Sequence, residues 1–206
     1  MGEGRNPSRA EDESLARVSG LVDFGLELRD ENERLRLELE HARARILELE
    51  ALVERDSLAP VYNRRGLMRE LDKAIAHCRR YGEKAVVFYV DLDRFKSIND
   101  EHGHGAGDRV IECVGEVLAR ATRLSDTVAR VGGDEFVLIL RHITLPTART
   151  KADSLKRIVA DLSIAYEGVR LSATASIGVA ELSEDDTPQS ILTRADAAMY
   201  AEKRAP

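Results

Sequence analysis

The sequence has 206 residues, enough for one globular domain and an additional segment. Its formal net charge of −6 argues against a nucleic-acid-binding surface, and no apolar run approaches the ~20 residues that cross a membrane. With two cysteines and no visible signal peptide, the composition favours a cytoplasmic protein without a disulfide framework.

The N-terminal segment has the pattern of a dimeric coiled coil. Residues 1–13 are polar and are expected to be disordered. A coiled coil is predicted over residues 14–56, because a heptad can be written from Val18 to Val53 whose core positions are apolar except for Gly25 and Asn32. Position a holds Val18, Gly25, Asn32, Leu39, Ile46 and Val53, and position d holds Leu21, Leu28, Leu35, Ala42 and Leu49. Asn32 at position a favours a parallel, in-register dimer. The alternative is a solvated helix packed on its own domain.

The charges beside the heptad core agree with a parallel dimer. The pairs that would face each other across it are opposite in sign: Glu31–Arg36, Glu38–Arg43 and Arg45–Glu50. Each exposed pair stabilises little, on the order of 0.3–0.5 kcal/mol. These pairs are therefore expected to select register and partner.

The segment DSLAPVYNRRGL, residues 56–67, follows the coiled-coil pattern. Pro60 disfavours helix at the residue before it, so the N-terminal helix should stop close to residues 56–58. Amphipathic helices are then predicted over 65–81 and 106–121. Cys78 and Cys113 lie in these two patterns and are expected to be buried, reduced thiols.

Two carboxylates follow a strand that is predicted to be central. The apolar run over 85–90 indicates a strand covered on both faces. Asp91 and Asp93 come where it ends, a position in which a sheet fixes carboxylates that a loop leaves accessible. Capping of the next helix is their alternative role. His102 and His104 alternate with glycines, which indicates a turn-rich loop rather than a metal-binding helix.

A tight hairpin is predicted around the sequence Gly-Gly-Asp-Glu at 132–135, because strand-like runs flank it on both sides. Glycine tolerates φ > 0 and leaves the backbone open to a ligand, so Asp134 and Glu135 would stand beside bare backbone. Carboxylates hold divalent cations that bridge phosphate oxygens, and Asp91 would join them if the hairpin lies beside its strand. Taken alone, Gly-Gly-Asp is an ordinary turn.

The remaining C-terminal part is predicted to contain helices over 147–164 and 188–203 and a strand over 172–180. Mixed strands and helices with one antiparallel hairpin indicate an α+β or α/β sandwich.

Three separated motifs identify a resemblance. DLDRFKSINDEHGHGAGD (91–108), RVGGDEF (130–136) and ADAAMYAEK (195–203) occur in the order typical of the GGDEF family of diguanylate cyclases, which residues 56–204 resemble. The resemblance implies a catalytic domain at 57–206 with a palm-like α/β fold, similar to nucleotidyl cyclases and polymerases, around a central, mostly antiparallel sheet. It also implies a reaction in which two GTP condense to cyclic di-GMP and two pyrophosphates.

The implied reaction requires a homodimer, because each domain of the family binds one GTP and two domains must face each other. A coiled coil would raise the effective concentration of the second domain. A shift of its helices would misalign the two substrates, so a separate sensor protein is a candidate partner for the N-terminal helix.

Site roles follow from the motif matches. Asp91 and Glu135 match the carboxylates that bind Mg²⁺ or Mn²⁺, expected as two ions per site, with the Leu92 carbonyl as a further ligand. Asp134 matches the acidic position near the metal and the attacking hydroxyl, so the implied catalytic residues are Asp134, Glu135 and Lys96. Lys96 and Lys203 match phosphate-contacting lysines, and Gly132 and Gly133 line the substrate.

Asn99 and Asp108 fall at the guanine-contacting positions of the family. A carboxylate accepts hydrogen bonds from guanine N1–H and the 2-amino group, whereas adenine N1 offers it no proton, so Asp108 favours GTP over ATP. The alternative role of Asp108 is to cap the helix that runs to Arg120.

Arg123 and Asp126 match the spacing of an RxxD site through which cyclic di-GMP inhibits its own synthesis. A salt bridge at the helix end is the alternative. The chain departs from the family in two places. Ala59-Pro60-Val61 replaces the usual Thr-Gly-Leu, and the usual Gly-Arg-Asn is missing after Lys203, so a phosphate-binding arginine is either absent or supplied by Arg204.

The second functional class is a non-catalytic receptor that binds cyclic di-GMP or GTP and signals through its coiled coil. Degenerate members of the family usually lose signature carboxylates. Because none is lost here, the resemblance favours the active cyclase.

Overall fold

The computed structural model describes residues 29, 31–41, 43, 45, 49 and 54–204. The chain divides into two compact units, Met1–Ala51 and Leu52–Pro206. In the first unit the described residues are helical, and the coiled coil over 14–56 stays a prediction. Outside the described residues lie the expected disorder of 1–13 and the heptad positions Val18, Leu21, Gly25, Leu28, Ala42, Ile46 and Val53.

The described leucines of the first unit are about half exposed, whichever side of the helix they occupy. The exposed fractions are 52% for Leu35, 51% for Leu39 and 47% for Leu49 at core positions, and 55% for Leu37 at an outer position. Arg34 pairs along the helix with Glu31 at 3.2 Å and with Glu38 at 3.5 Å. These two carboxylates, predicted to pair across a dimer, thus have a partner in their own chain.

The second unit mixes helices and strands. Its elements are α1 (Arg64–Tyr81), β1 (Ala85–Leu92), α2 (Phe95–His102), α3 (His104–Arg120), β2 (Thr127–Arg130), β3 (Glu135–Arg141), α4 (Leu145–Ala160), β4 (Ile164–Tyr166), β5 (Val169–Leu171), β6 (Ala175–Glu181) and α5 (Pro188–Lys203). Within the described residues, no helix has the length and apolar character needed to cross a bilayer.

The central sheet is antiparallel throughout, with strand order β2–β3–β1–β6, and β4 and β5 form a separate hairpin. This confirms the predicted α+β fold with a central, antiparallel sheet. β1 is paired along both edges, as its apolar sequence predicts.

Side chains alternate across β1 and fill two hydrophobic cores, one on each face of the sheet. Val86, Phe88 and Val90 face a core that the sheet shares with α3 and α4. Val87 faces the other core, which the sheet shares with α1 and α5. Gly178 on β6 allows α5 to lie directly on the sheet, because a Cβ there would be 2.7 Å from the Cα of Met199. The position of α5 therefore depends on that glycine.

At the start of the second unit the helical conformation ends between Glu54 and Asp56, slightly before the predicted stop at 56–58. Glu54 is helical and Asp56 is not, because the carboxylate of Asp56 accepts the N–H groups of Leu58 at 3.1 Å and Ala59 at 2.9 Å. Ala59 and Val61, which replace the residues usual in the family, are buried in the core.

Several other expectations were wrong. Only Gly103, with φ +84°, separates α2 from α3, so His102 and His104 lie at adjoining helix ends rather than in a turn-rich loop. Cys78 and Cys113 are free thiols but only half buried. The helix predicted over 147–164 spans 145–160 and is followed by the unpredicted β4–β5 hairpin, and the strand predicted over 172–180 begins at Ala175.

Candidate active site

The register of β1 and β3 places two predicted site carboxylates opposite each other. Asp91 pairs with Glu135 across these strands. The next residue, Leu92, donates its backbone N–H to the carbonyl of Asp134 at 3.2 Å. The end of β1 and the signature turn are therefore joined directly, as the sequence predicted for Asp91, Asp134 and Glu135.

Electrostatic interactions confirm that negative charge is concentrated here. Burial, and then the charge of Asp91, raise the pKa of Asp134 above its ordinary value. Lys203, in the last turn of α5, donates from Nζ to Oδ1 of Asp91 at 2.5 Å. That hydrogen bond is the largest cause of a raised pKa for Lys203. The site thus attracts a positive charge.

Gly132 and Gly133 differ in role although they are adjacent. A Cβ on Gly132 would overlap Oε2 of Glu135, whereas a Cβ on Gly133 would meet open space. The positive-φ glycines of the described residues are Gly82, Gly103 and Gly168. The expected positive φ was therefore wrong for both glycines. The expected open backbone is found at Gly133, whereas Gly132 accommodates the side chain of Glu135.

Asp93, the other carboxylate predicted at the strand end, joins the end of β1 to residues 174 and 176 through hydrogen bonds. Its Oδ1 accepts the hydroxyl of Ser176 at 2.7 Å and its Oδ2 accepts that of Thr174 at 2.9 Å. Its own N–H donates to the carbonyl of Thr174 at 2.9 Å. The alternative role as helix cap was wrong, because the N-cap of α2 is Arg94, at φ +53°.

The donor atoms fit a hard divalent cation. No three His, Cys, Asp or Glu side chains converge as a metal site within the part of the chain that the structure describes. Asp91 and Glu135, which lie opposite each other in the register, offer two carboxylates, and the Asp134 carbonyl lies at the same end of β1. Mg²⁺ and Mn²⁺ accept such oxygen ligands and keep their remaining positions for phosphate and water.

The predicted guanine-contacting residues lie on the adjoining helices α2 and α3. Asn99 on α2 rests against Gly107, where a Cβ would overlap Oδ1 of Asn99. Asp108 follows Gly107 on α3 and is exposed, and Lys96 is exposed on α2. The N-cap of α3 is Gly103, without a side-chain cap, so the alternative in which Asp108 caps this helix was wrong.

Asp126 organises the turn that contains the predicted inhibitory motif. Its carboxylate accepts the N–H of Arg123 at 3.0 Å and that of Arg141 at 3.2 Å. The described residues contain no ion pair between Arg123 and Asp126, so the alternative salt bridge was wrong. Arg123 is exposed and lines, with Arg141, His142 and Lys151, a cavity of about 350 Å³.

Sequence reasoning missed four contacts in this part of the molecule. Tyr89 donates from its hydroxyl to Oε1 of Glu135 at 3.1 Å, and both burial and that carboxylate raise its pKa. Arg130 binds the carboxylate of Asp56 at 3.2 Å and the carbonyl of Gly133 at 2.9 Å. Arg204 stacks on Tyr200, 4.5 Å from the ring centroid. A tyrosine in the apolar run, two residues before Asp91, was the available signal for the first contact.

Known proteins are similar to this chain in sequence. The family model described as "Diguanylate cyclase, GGDEF domain" matches residues 53–206. Diguanylate cyclase A of Treponema denticola is 39% identical over 123 residues, which cover 59% of this chain and 33% of that protein. The chain spans between 22% and 45% of the length of the curated relatives it first matches.

Two solved structures are similar over most of the chain. The coiled coil and GGDEF domain of DgcB from Caulobacter crescentus, in complex with c-di-GMP, gives a TM-score of 0.75 at 29% identity, covering 86% of this chain and 94% of that one. Diguanylate cyclase SiaD from Pseudomonas aeruginosa, in complex with its activator SiaC, gives 0.73 at 31% identity, covering 96% and 79%.

Proposed function

Since the chain belongs to the GGDEF family of diguanylate cyclases, we propose that it condenses two GTP into cyclic di-GMP and two pyrophosphates. The observation that carries this proposal is the register that sets Asp91 opposite Glu135, with Lys203 bound to Asp91 at 2.5 Å. Phosphoryl transfer requires neutralised charge and alignment more than covalent assistance, and this group of charges is suited to both.

Asp91, Glu135 and the Leu92 carbonyl are the proposed ligands of Mg²⁺ or Mn²⁺, with two ions expected per site. When bound, such ions neutralise phosphate charge and favour attack on the α-phosphorus. Lys203 would exchange Asp91 for a phosphate oxygen, and exposed Lys96 would contact the triphosphate from α2. Gly132 and Gly133 would leave room for the nucleotide along the turn.

Each half-reaction forms a bond between a 3′-oxygen and the α-phosphorus of the facing GTP, and breaks the bond to pyrophosphate. The 3′-hydroxyl loses its proton in the same step. Asp134, half buried beside Asp91, is the group proposed to receive it. Two such reactions, one from each domain of a dimer, close the cyclic product.

Asn99 and Asp108 are proposed to bind guanine. The exposure of Asp108 and the absence of a capping role support this, because its carboxylate stays available for N1–H and the 2-amino group. A mixture of equal GTP and ATP should yield cyclic di-GMP without a mixed GMP–AMP product. A substantial mixed product from the unmodified protein would show that Asp108 does not select the base.

The proposed dimer forms through the coiled coil over residues 14–56. The helical conformation of residues 31–41, which carry Asn32, Leu35 and Leu39 at heptad core positions, supports it. SiaD, a relative of this chain, was solved with an activator protein, which supports the prediction that a separate protein acts on the N-terminal helix here. Arg123 and Asp126 are proposed to bind cyclic di-GMP as an inhibitor, supported by the cation-lined cavity beside them.

Purified protein incubated with GTP and Mg²⁺ tests the function directly. We expect pyrophosphate and cyclic di-GMP from the unmodified chain and from a Glu184→Gln control on the surface, and no product from Glu135→Gln. Binding of cyclic di-GMP without any turnover would instead establish the receptor function.

A further inference from the structure

Tyr89 lies inside the sheet, next to the proposed metal ligands. It is the fifth residue of β1 and pairs with Val137 of β3 and Gly178 of β6. Because side chains alternate along a strand, Tyr89 and Asp91 project from the same face. The ring packs against the core that α1 and α5 share with the sheet.

The two oxygens of Glu135 have different surroundings. Oε1 accepts the hydroxyl of Tyr89 at 3.1 Å. Oε2 lies over Gly132, at the position that any Cβ of that residue would overlap. Oε1 is therefore oriented by a hydrogen bond from the protein, whereas Oε2 lies over the turn that is proposed to bind the nucleotide.

We propose that Tyr89 is a positioning residue that holds Oε1 of Glu135 so that only Oε2 coordinates the divalent cation. This inference rests on the proposed function and deepens it. Hydrogen bonds to a ligating carboxylate fix its orientation, and loss of such a partner typically costs about 10–100-fold in metal affinity. The hydroxyl is the operative group, since a phenylalanine would fill the same space in the core.

Restriction to one oxygen also has a consequence for metal choice. Mg²⁺ requires nearly octahedral geometry at short distances, whereas larger Ca²⁺ readily accepts both oxygens of one carboxylate. A Glu135 carboxylate held by Tyr89 presents a single oxygen and so favours the smaller ion. Loss of the hydroxyl frees Oε1 and removes that preference.

Tyr89→Phe in the full chain tests the proposal, with Tyr81→Phe as the matched control because the Tyr81 side chain is 65% exposed. Mn²⁺ binding is measured in the presence of 3′-deoxy-GTP, which lacks the attacking hydroxyl and prevents turnover. We expect Tyr89→Phe to weaken Mn²⁺ binding about 10-fold and to narrow the preference for Mn²⁺ over Ca²⁺. Tyr81→Phe should match the unmodified protein.

Steady-state kinetics provide a second measurement. The Mg²⁺ concentration for half-maximal rate should rise in Tyr89→Phe, while KM for GTP at saturating Mg²⁺ stays the same. In a Glu135→Gln background, Tyr89→Phe should have no further effect on Mn²⁺ affinity, because the two residues act through one carboxylate.

Mn²⁺ affinity within twofold of the unmodified protein would overturn the positioning role, and so would a Tyr89→Phe variant that fails to fold, since the hydroxyl would then be structural. If the unmodified protein makes no cyclic di-GMP but loses Mn²⁺ affinity on Tyr89→Phe, the proposed function fails and the positioning role stands. If the unmodified protein is active and the variant binds Mn²⁺ equally well, the proposed function stands and the positioning role fails.

Discussion

Substitution of Gly178 by alanine should damage both stability and catalysis, because α5 lies directly on this glycine. An added Cβ would be 2.7 Å from the Cα of Met199 and closer still to the Met199 nitrogen and the Ala195 carbonyl. Carbon atoms in contact are normally about 3.5–4.0 Å apart. The backbone of α5 must therefore move away by roughly 1 Å, because a backbone cannot rotate aside as a side chain can.

The cost is that of overpacking a core, typically ~1–3 kcal/mol of unfolding free energy. At ~2–4 °C per kcal/mol for a domain of this size, we expect Tm to fall by roughly 2–12 °C. The same shift carries Lys203 away from Asp91, and a misplacement of about 1 Å can reduce a catalysed rate ~100-fold.

Thermal unfolding followed by circular dichroism, and cyclic di-GMP production by the folded protein, measure the two effects. Gly133→Ala is the control for stability, because a Cβ there meets open space, and its Tm should change by less than about 2 °C. A Gly178→Ala protein with unmodified Tm and activity would refute the account of how α5 is positioned.

Four further predictions concern the carboxylates, the dimer and the inhibitory motif. Glu135→Gln should leave Tm nearly unchanged and lower turnover by more than 10-fold, since loss of a metal ligand costs several kcal/mol in the transition state; more than a tenth of normal activity would contradict its role. Burial and Asp91 raise the pKa of Asp134 above the value it has in the unfolded chain. The Asp134 carboxyl group therefore contributes less to stability as the pH rises from the unfolded pKa to the folded pKa. Asp134→Asn should therefore raise Tm at pH 7, with the difference vanishing in acid; an equal or lower Tm at pH 7 would contradict this. Deletion of residues 18–53 should yield a mostly monomeric, weakly active domain, and sedimentation as a stable, fully active dimer would exclude the coiled-coil dimer. Arg123→Ala should relieve inhibition by cyclic di-GMP, so an unchanged inhibition curve would leave Arg123 as an ordinary surface residue.

The central elements were predictable from the sequence because their patterns are long and local. The apolar run at 85–90 is central in the sheet, and the two runs flanking Gly132 and Gly133 form the β2–β3 hairpin. The β4–β5 hairpin has strands of three residues each, too short for a periodic pattern. Helix α2 was predicted without bounds, as the helix that Asp91 and Asp93 would cap. It buries no residue completely, and Phe95 and Ile98 are its apolar side chains packed against the core.

The sequence predicted which residues form the site, but not which hydrogen bonds they make. Asp91, Asp134 and Glu135 were expected to meet, and the β1–β3 register brings Asp91 and Glu135 together. The carboxylate of Asp93 is hydrogen-bonded by Thr174 and Ser176, which lie about eighty positions further along the chain. No local pattern specifies such a contact, because the register follows from packing of the whole sheet.

The end of β1 that carries Asp91 is held from two sides, and this explains how a concentration of negative charge keeps its geometry. On one side the Leu92 N–H binds the Asp134 carbonyl, and on the other the Asp93 N–H binds the Thr174 carbonyl. The backbone that carries Asp91 is thus clamped between β3 and β6. Lys203 then offsets the charge of Asp91, one of the proposed metal ligands. The hydrogen bonds that fix this end of β1 are made by backbone groups, whereas Lys203 contacts Asp91 through its side chain. In the proposed function, a metal ion would therefore replace Lys203 at Asp91 without movement of the sheet, and the carboxylates would be preorganised for phosphoryl transfer.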